Sequence, residues 1–300
     1  MSALLSNAVS GRAARGLAFV FVLLLGACSA IRIGYNNADT LIVFSLDDYL
    51  DLSSEQSDLA RERAGALMNW HRSTQLRDYA QVIDAARAKL AGPVTATEVL
   101  AFNEAINNRL AAVGDRAAPD LAQLALTLSQ AQLDQLTRKL TSDTSKARRE
   151  LVKFAGKESI DDRVKRYAER VDDWFGSVSP VQREALRTAL LQRPAAAEWW
   201  IEERERRQRE LVRVLRRIQS EQPSVAVATG WLRDYFAELR SSPDPQRRAK
   251  MDEFRRSNAE LIATLINSAS PAQRAHLSAK LGGYAEDFSA LAESRLSQPG

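Results

Sequence analysis

Apolar residues recur along this chain at three- and four-residue steps, and runs that alternate apolar and polar are absent. Spacing of that kind predicts amphipathic helices rather than half-buried strands. The first long helix shows the pattern most fully. Its inward stripe runs Ala60, Ala64, Leu67, His71, Gln75, Tyr79, Val82, Ala86 and Leu90. The only strand-like run, Leu41 to Phe44, also fits a short helix through Ala38, Leu41, Ser45 and Tyr49, with Asn37 as its cap. Breakers fall at Gly92-Pro93, Gly114 to Pro119, Pro194, Pro223 and Ser241 to Pro245.

Four helix starts share one form: Ser53 with Gln56, Ser129 with Gln132, Ser179 with Gln182, and Ser270 with Gln273. A serine hydroxyl at the N-cap accepts from the backbone three residues on, and the glutamine reaches back to the cap N–H. Pro180 and Pro271 sit at the first helical position, where a missing donor costs nothing. The order of these starts predicts an internal duplication. Each half opens on a Ser-x-x-Gln helix leading to tryptophan, Trp70 or Trp199-Trp200. Each then passes a charged helix, a breaker and a helix started by Thr97 or Thr229, and closes on a second Ser-x-x-Gln helix. The expected fold is all-α, an elongated helical bundle of two related units. Unit one takes residues 52–140 and unit two 178–300, with a connecting helix in 141–177 and a short helix in 28–51.

Upstream, Arg12 and Arg15 precede an apolar run, Leu17 to Leu25, too short to cross a bilayer. A basic stretch, a short apolar segment and small residues at its end read as a signal peptide over 1–27. Leu25-Gly26-Ala27-Cys28 resembles the lipobox of bacterial lipoproteins. The resemblance implies cleavage before Cys28, a diacylglycerol thioether on its sulfur and an acylated amine. More than one acyl chain gives stable anchorage to a membrane. Ser29 follows, with no aspartate of the kind associated with inner-membrane retention. Likeness to sorted lipoproteins therefore implies the periplasmic face of the outer membrane. Seven residue steps separate Cys28 from Tyr35, a reach of at most ~25 Å, so the body is expected close to the bilayer.

Charge adds little by itself. Removing residues 1–27 takes Arg12 and Arg15 from 42 basic side chains and leaves 40 against 38 acidic ones, which does not fit a nucleic-acid binder. Cys28 is the only cysteine, so the chain has no disulfide to draw on. Two histidines make a multi-histidine metal site improbable, and no cofactor is implied. The metalloprotease, phosphate-loop and nucleophile-elbow motifs are absent, so no catalytic residue is assigned and the chain is read as a non-enzyme.

Trp70, His71 and Arg72, followed by Gln75 and Tyr79, form the densest cluster of unusual residues. It is either a satisfied polar network that fixes helix register or a small polar pocket with His71 as proton shuttle. Tyr35, Asn36, Asn37 and Asp39 are either helix-capping residues or a recognition edge at the membrane surface. Acylated cysteine, Tyr-Asn-Asn-Ala-Asp, Asp48 to Gln56 and Trp-His-Arg together resemble an uncharacterised family of proteobacterial helical lipoproteins, which implies location and architecture but no activity. The Ser-x-x-Gln starts also resemble the Leu-Thr-x-x-Gln motifs of Spy-type periplasmic chaperones. Here serine replaces threonine and the preceding leucine occurs only at Leu52 and Leu128.

From Glu202 to Arg217 the chain reads as a solvated charged helix with pairs Glu202–Arg206, Glu203–Arg207 and Glu205–Arg209. Arg213, Arg216 and Arg217 are a candidate membrane contact. The reading that emerges is a membrane-anchored, non-catalytic binding or scaffold protein of the cell envelope, with an envelope protein or peptide as partner. A holdase chaperone and an enzyme with a pocket around His71 are the alternatives. A concave apolar surface favours the binders, and a deep polar pocket reaching His71 favours the enzyme.

Overall fold

A computed structural model describes residues 31–155, 159–192 and 196–294. Cys28, the lipobox and the signal peptide lie outside the described residues. The protein is an all-α, elongated helical bundle, and no strand occurs among the described residues. The backbone is already helical over 31–36, upstream of the start expected at Tyr35. After Asn37 the helices are α1 (Ala38–Leu50), α2 (Ser54–Thr74), α3 (Leu76–Lys89), α4 (Ala96–Thr127), α5 (Gln130–Ala155) and α6 (Ile160–Phe175). They continue with α7 (Pro180–Gln192), α8 (Ala196–Glu221), α9 (Val225–Arg240), α10 (Pro245–Asn267) and α11 (Pro271–Glu293).

All four serine–glutamine boxes form. In each, the glutamine N–H donates to the serine hydroxyl and the glutamine carbonyl accepts from the serine N–H. Thr95 with Glu98 and Ser159 with Asp162 make two more. Other expected boundaries move. The Thr-started helices begin instead at Thr95 and Ser224, because each hydroxyl stands at a β-region cap while Thr97 and Thr229 are already helical. The connecting helix expected within 141–177 is two helices, the second restarted by Ser159 and ended by Gly176 in the left-handed region (φ 74°). The positive φ favours glycine at Gly176, and an added Cβ there would also press on His276, lying 3.2 Å from its Nδ1.

Pro119 does not break α4. A helical proline leaves the carbonyl four residues back without its donor. Arg233 Nη2, from α9, donates to that carbonyl, Asp115 O, at 3.3 Å. Ala118, Ala122 and Ala125 let α9 lie close along α4, where Ala228 and Leu232 fill the seam.

The segments 52–140 and 178–300 do not close on themselves. α11 lies along α3, α8 along α5, and α4 packs against both α9 and α10. The last helix of each half thus packs on the second helical stretch of the other. The main core gathers Leu90, Val99, Val164, Phe175, Leu186, Ala263, Ile266 and Leu277 from α3, α4, α6, α7, α10 and α11.

Candidate functional site

The Trp70–Arg72 cluster sits where one expected helix becomes two. Ser73 Oγ donates back to Asn69 O at 2.9 Å and Thr74 Oγ1 to Trp70 O at 2.7 Å, which ends α2. The restart at Leu76 shifts the inward stripe by one residue, so Leu76, Ala80 and Ile83 are buried in place of Gln75, Tyr79 and Val82. Gln75 falls away from the cluster; its amide donates to Thr74 Oγ1 at 3.1 Å.

His71 remains central. Its Nδ1 is 2.7 Å from Tyr35 Oη and its Nε2 3.1 Å from Tyr79 Oη, while Trp70 meets it edge-on. Burial pushes the His71 imidazole below its usual value and the Tyr79 phenol above its own. Burial, partly offset by the Arg72 charge, raises Tyr35 to about 12. The imidazole is therefore neutral at pH 7, with one nitrogen donating and the other accepting. Arg72 is buried. Its Nη2 donates to Asn36 Oδ1 at 2.7 Å, its Nη1 donates to Leu291 O and Ser294 Oγ, and its guanidinium lies 5.0 Å from the Tyr35 ring centroid. Arg32 Nε donates to Asp287 at 2.6 Å; that carboxylate is 1% exposed. Asn37 Nδ2 donates to Ile33 O, and the Asp39 carboxylate accepts from the Thr40 N–H.

The cluster is thus a docking plate. It joins residues 32–36 to α2, α3 and the end of α11. Tyr35 and Asn36 dock on it, whereas the expected cap Asn37 makes no side-chain cap hydrogen bond, its amide donating back to Ile33 O instead, and Asp39 accepts only from the neighbouring Thr40 N–H. Asp287 was not legible in advance, because a lone aspartate late in an amphipathic helix carries no sign of its partner.

The capping glutamines have a second role. Gln56 and Gln132 face each other amide to amide: Gln132 Nε2 donates to Gln56 Oε1 at 2.6 Å, and Gln56 Nε2 to Gln132 Oε1 at 3.2 Å. Gln56 also donates to Thr127 O, and Gln132 to Asp51 O. Gln182 and Gln273 also meet, but are joined in one direction only. Gln273 Nε2 donates to Gln182 Oε1 at 2.9 Å and to Ser177 O, while Gln182 Nε2 donates to Leu265 O. Two helix N-termini meet in each clasp, and the serine and glutamine oxygens supply the acceptors that facing positive helix ends need.

The charged helix is less solvated than its pairs suggested. Glu203 is 1% exposed and takes hydrogen bonds from Arg206, Arg207 and Arg247. Burial alone would raise its carboxyl, but the bonds from Arg206 and Arg207 bring it to about 2. Glu205 pairs with Arg148 rather than Arg209. Arg213, Arg216 and Arg217 are engaged by Glu210, Asp134 and Glu221, and Arg217 also stacks 3.7 Å over Trp231. These three arginines form no free cationic patch.

An apolar concavity lies elsewhere. A chamber of about 790 Å³ opens between α1, α4, α5, α8 and α9. Its walls are almost all aliphatic, with Ile42, Leu46, Leu124, Leu136, Leu211 and Leu239 among them. The polar groups in its lining are spoken for. Tyr49 Oη donates to Asp143, Tyr235 Oη to Arg207 O, and Ser45 Oγ to Leu41 O. Burial raises the Tyr235 phenol; the Asp143 hydrogen bond, aided by burial, raises that of Tyr49. One face of α1 lines the chamber, with half-exposed Leu41 in that lining, while Phe44 on α1 and Ile33 upstream of it stay exposed. Periodicity shows which helix faces are apolar but carries no sign that the facing helices stand apart.

Fold and site together define an all-α bundle whose concave feature is an apolar chamber and whose polar clusters brace helix ends. The chain belongs to a family of unknown function (DUF6279), which it matches over residues 48–226. That span includes both halves of the Gln56–Gln132 clasp and the Trp-His-Arg cluster; Tyr35 to Asp39 lie before it. No curated protein and no solved structure is similar enough to match. Among the described residues no helix is long and apolar enough to cross a membrane, and no cluster of His, Cys, Asp or Glu could hold a metal ion.

Proposed function

We propose that this protein is a lipoprotein of the cell envelope, acylated at Cys28, that binds an apolar partner in the chamber between α1, α4, α5, α8 and α9. One observation carries the reading. A space of about 790 Å³ walled by leucine is open to solvent, and apolar surface of that extent is favourably covered. Its size falls in the ~300–1,000 Å³ range of ligand sites. A pocket centred on His71 finds less support, because both ring nitrogens already have tyrosine partners.

The docking plate supports the anchored part of the reading. Four residue steps separate Cys28 from Arg32, so a lipid on that sulfur keeps the plate within ~14 Å of the membrane surface. Arg72, Asp287 and Tyr35 turn a tether into a rigid mount that orients the body. The periplasmic face of the outer membrane is the address this reading carries, by the lipobox resemblance and Ser29. The interlocked halves and their two matching clasps support descent from one duplicated unit.

Two measurements test the function. The intact mass of the protein from envelopes should show cleavage before Cys28 and acyl chains on it; an unmodified cysteine on the uncleaved chain contradicts the anchor. An environment-sensitive apolar dye should bind the full-length protein at one site and be blocked by Leu211→Trp. A dye that does not bind, or binds the variant equally well, contradicts the chamber.

A further inference from the structure

We propose that the outward side of the helical stretch 31–44, carrying Ile33, Leu41 and Phe44, is a second membrane contact, set in the headgroup region of a zwitterionic bilayer beside the anchor. The inference rests on the acylation of Cys28 proposed above and is independent of what the chamber holds.

Three observations carry it. First, large apolar side chains stand out in solvent here. Ile33 is 62% exposed, Leu41 54% and Phe44 70%, and no other large hydrophobic residue among those described exceeds Phe44. Asn37 alone interrupts the helix between them, and the strip from Ile33 to Phe44 is about 16 Å long. Second, every exposed residue from Ile33 to Ser45 is uncharged. Asp39 within that stretch is half-buried and accepts from the Thr40 N–H, and Arg32 just before it is tied to buried Asp287. Exposed charge returns only at Asp47 and Asp48. An uncharged helix face with spaced apolar side chains suits the headgroup boundary, and α1 has no Lys or Arg to draw it to anionic lipid. Third, position decides the partner. Five residue steps separate Cys28 from Ile33, a reach of at most ~18 Å, so acyl chains on that sulfur hold the strip at the bilayer. The bonds of Arg32, Tyr35 and Asn36 to Asp287, His71 and Arg72 fix how this stretch is turned against the body, with Ile33 left outward. Three apolar side chains fall well short of the roughly 20–30 residues a side of a stable protein interface, so a second copy or another protein would gain little from them. A bilayer held in place by the anchor needs no such area, because tethering makes a weak contact effective.

The test uses the full-length acylated protein in phosphatidylcholine vesicles, with an environment-sensitive fluorophore on Thr40→Cys. Acylated Cys28 is blocked, so the label goes to the new thiol alone, and the intact mass of the same sample records the acyl chains. The label at Thr40 should shift to the blue. Lipids with a nitroxide near the headgroup should quench it several-fold more than the same label on Leu191→Cys, an exposed position on α7, which packs against α6 and α10. Adding Ile33→Ser and Phe44→Ser, both at exposed positions, should cut that quenching several-fold while the melting temperature stays unchanged. Replacing part of the phosphatidylcholine with phosphatidylglycerol should not strengthen it. Quenching at Thr40 no greater than at Leu191, or untouched by the two serines, overturns the contact and leaves the anchor standing. A blue shift without quenching means that a protein surface covers the strip, which also overturns the contact. Stronger quenching with phosphatidylglycerol overturns the assignment to a zwitterionic surface. A mass without acyl chains overturns the anchored reading and this inference with it.

Discussion

The two glutamine clasps use the same residue types at matching helix starts, yet they differ in bonding and surroundings: Gln56 and Gln132 exchange two amide hydrogen bonds, whereas Gln273 donates to Gln182 and Gln182 donates onward to Leu265 O. Gln182 and Gln273 are both buried, and Gln182 bonds into α10 beside the main core of α3, α6, α7, α10 and α11. Of Gln56 and Gln132 only Gln56 is buried, and their clasp holds the ends of α2 and α5 next to the chamber. One side of the molecule is filled with apolar side chains and the other is left open around them. The joint is common to both halves, so the clasps account for architecture. What differs is the packing, and the difference marks where binding is expected.

Truncation at matched positions should separate the two sides most widely. Leu186→Ala, at a position 2% exposed in the packed core, should cost about 3–4 kcal/mol of unfolding free energy. Leu46→Ala in the chamber wall should cost about 1 kcal/mol, because less packing is lost there. Urea melts of both variants read the gap, and equal costs would mean that the chamber is as well packed as the core.

The clasps should differ less. Gln182→Ala removes one of two acceptors of the Gln273 amide, one of two donors to Leu265 O and the acceptor of the Ser179 cap N–H, at about 2–3 kcal/mol. Gln56→Ala removes equivalent bonds at a wetter site and should cost about 1 kcal/mol. Double-mutant cycles within each pair check whether the coupling follows burial.

Acid titration gives the finest separation. Glu203 is held at about 2, below its ordinary 4.5. The unfolded chain binds its proton first, so this stabilisation is full above about pH 4.5 and is lost as pH falls toward 2. His71 is likewise depressed, by burial, below 6.5. It contributes a shallower loss that begins as pH falls through 6.5. His71→Phe should remove the upper step and Glu203→Gln the lower one in pH-dependent melts. An unchanged profile in either variant contradicts that assignment.

Much of this was legible because helix capping is local chemistry. Serine and glutamine three residues apart suffice to place Ser53, Ser129, Ser179 and Ser270, whatever the tertiary contacts. What could not be read depends on partners distant in sequence. Pro119 looks like a breaker until Arg233 supplies the donor that Asp115 O lacks. Glu203 looks solvated because Arg207 sits at the right spacing; Arg247, which helps enclose it, comes from another helix. The partner of Gln56 is 76 residues away, so a capping box could be foreseen and a clasp could not. His71, Arg72 and Tyr79 were found as a cluster, but their task depends on Tyr35, Asn36 and the end of α11. The chamber was hidden for a related reason: periodicity shows which face of a helix is apolar, not whether another helix covers it.

The central claim is that the leucine-lined space holds a ligand in the native protein. Native mass spectrometry of the full chain, extracted gently from envelopes and compared with its Leu211→Trp variant, tests it most directly. The account predicts a non-covalent adduct with the mass of one ligand on the wild type and none on the variant. A bare wild-type mass, or the same adduct on both proteins, would contradict it.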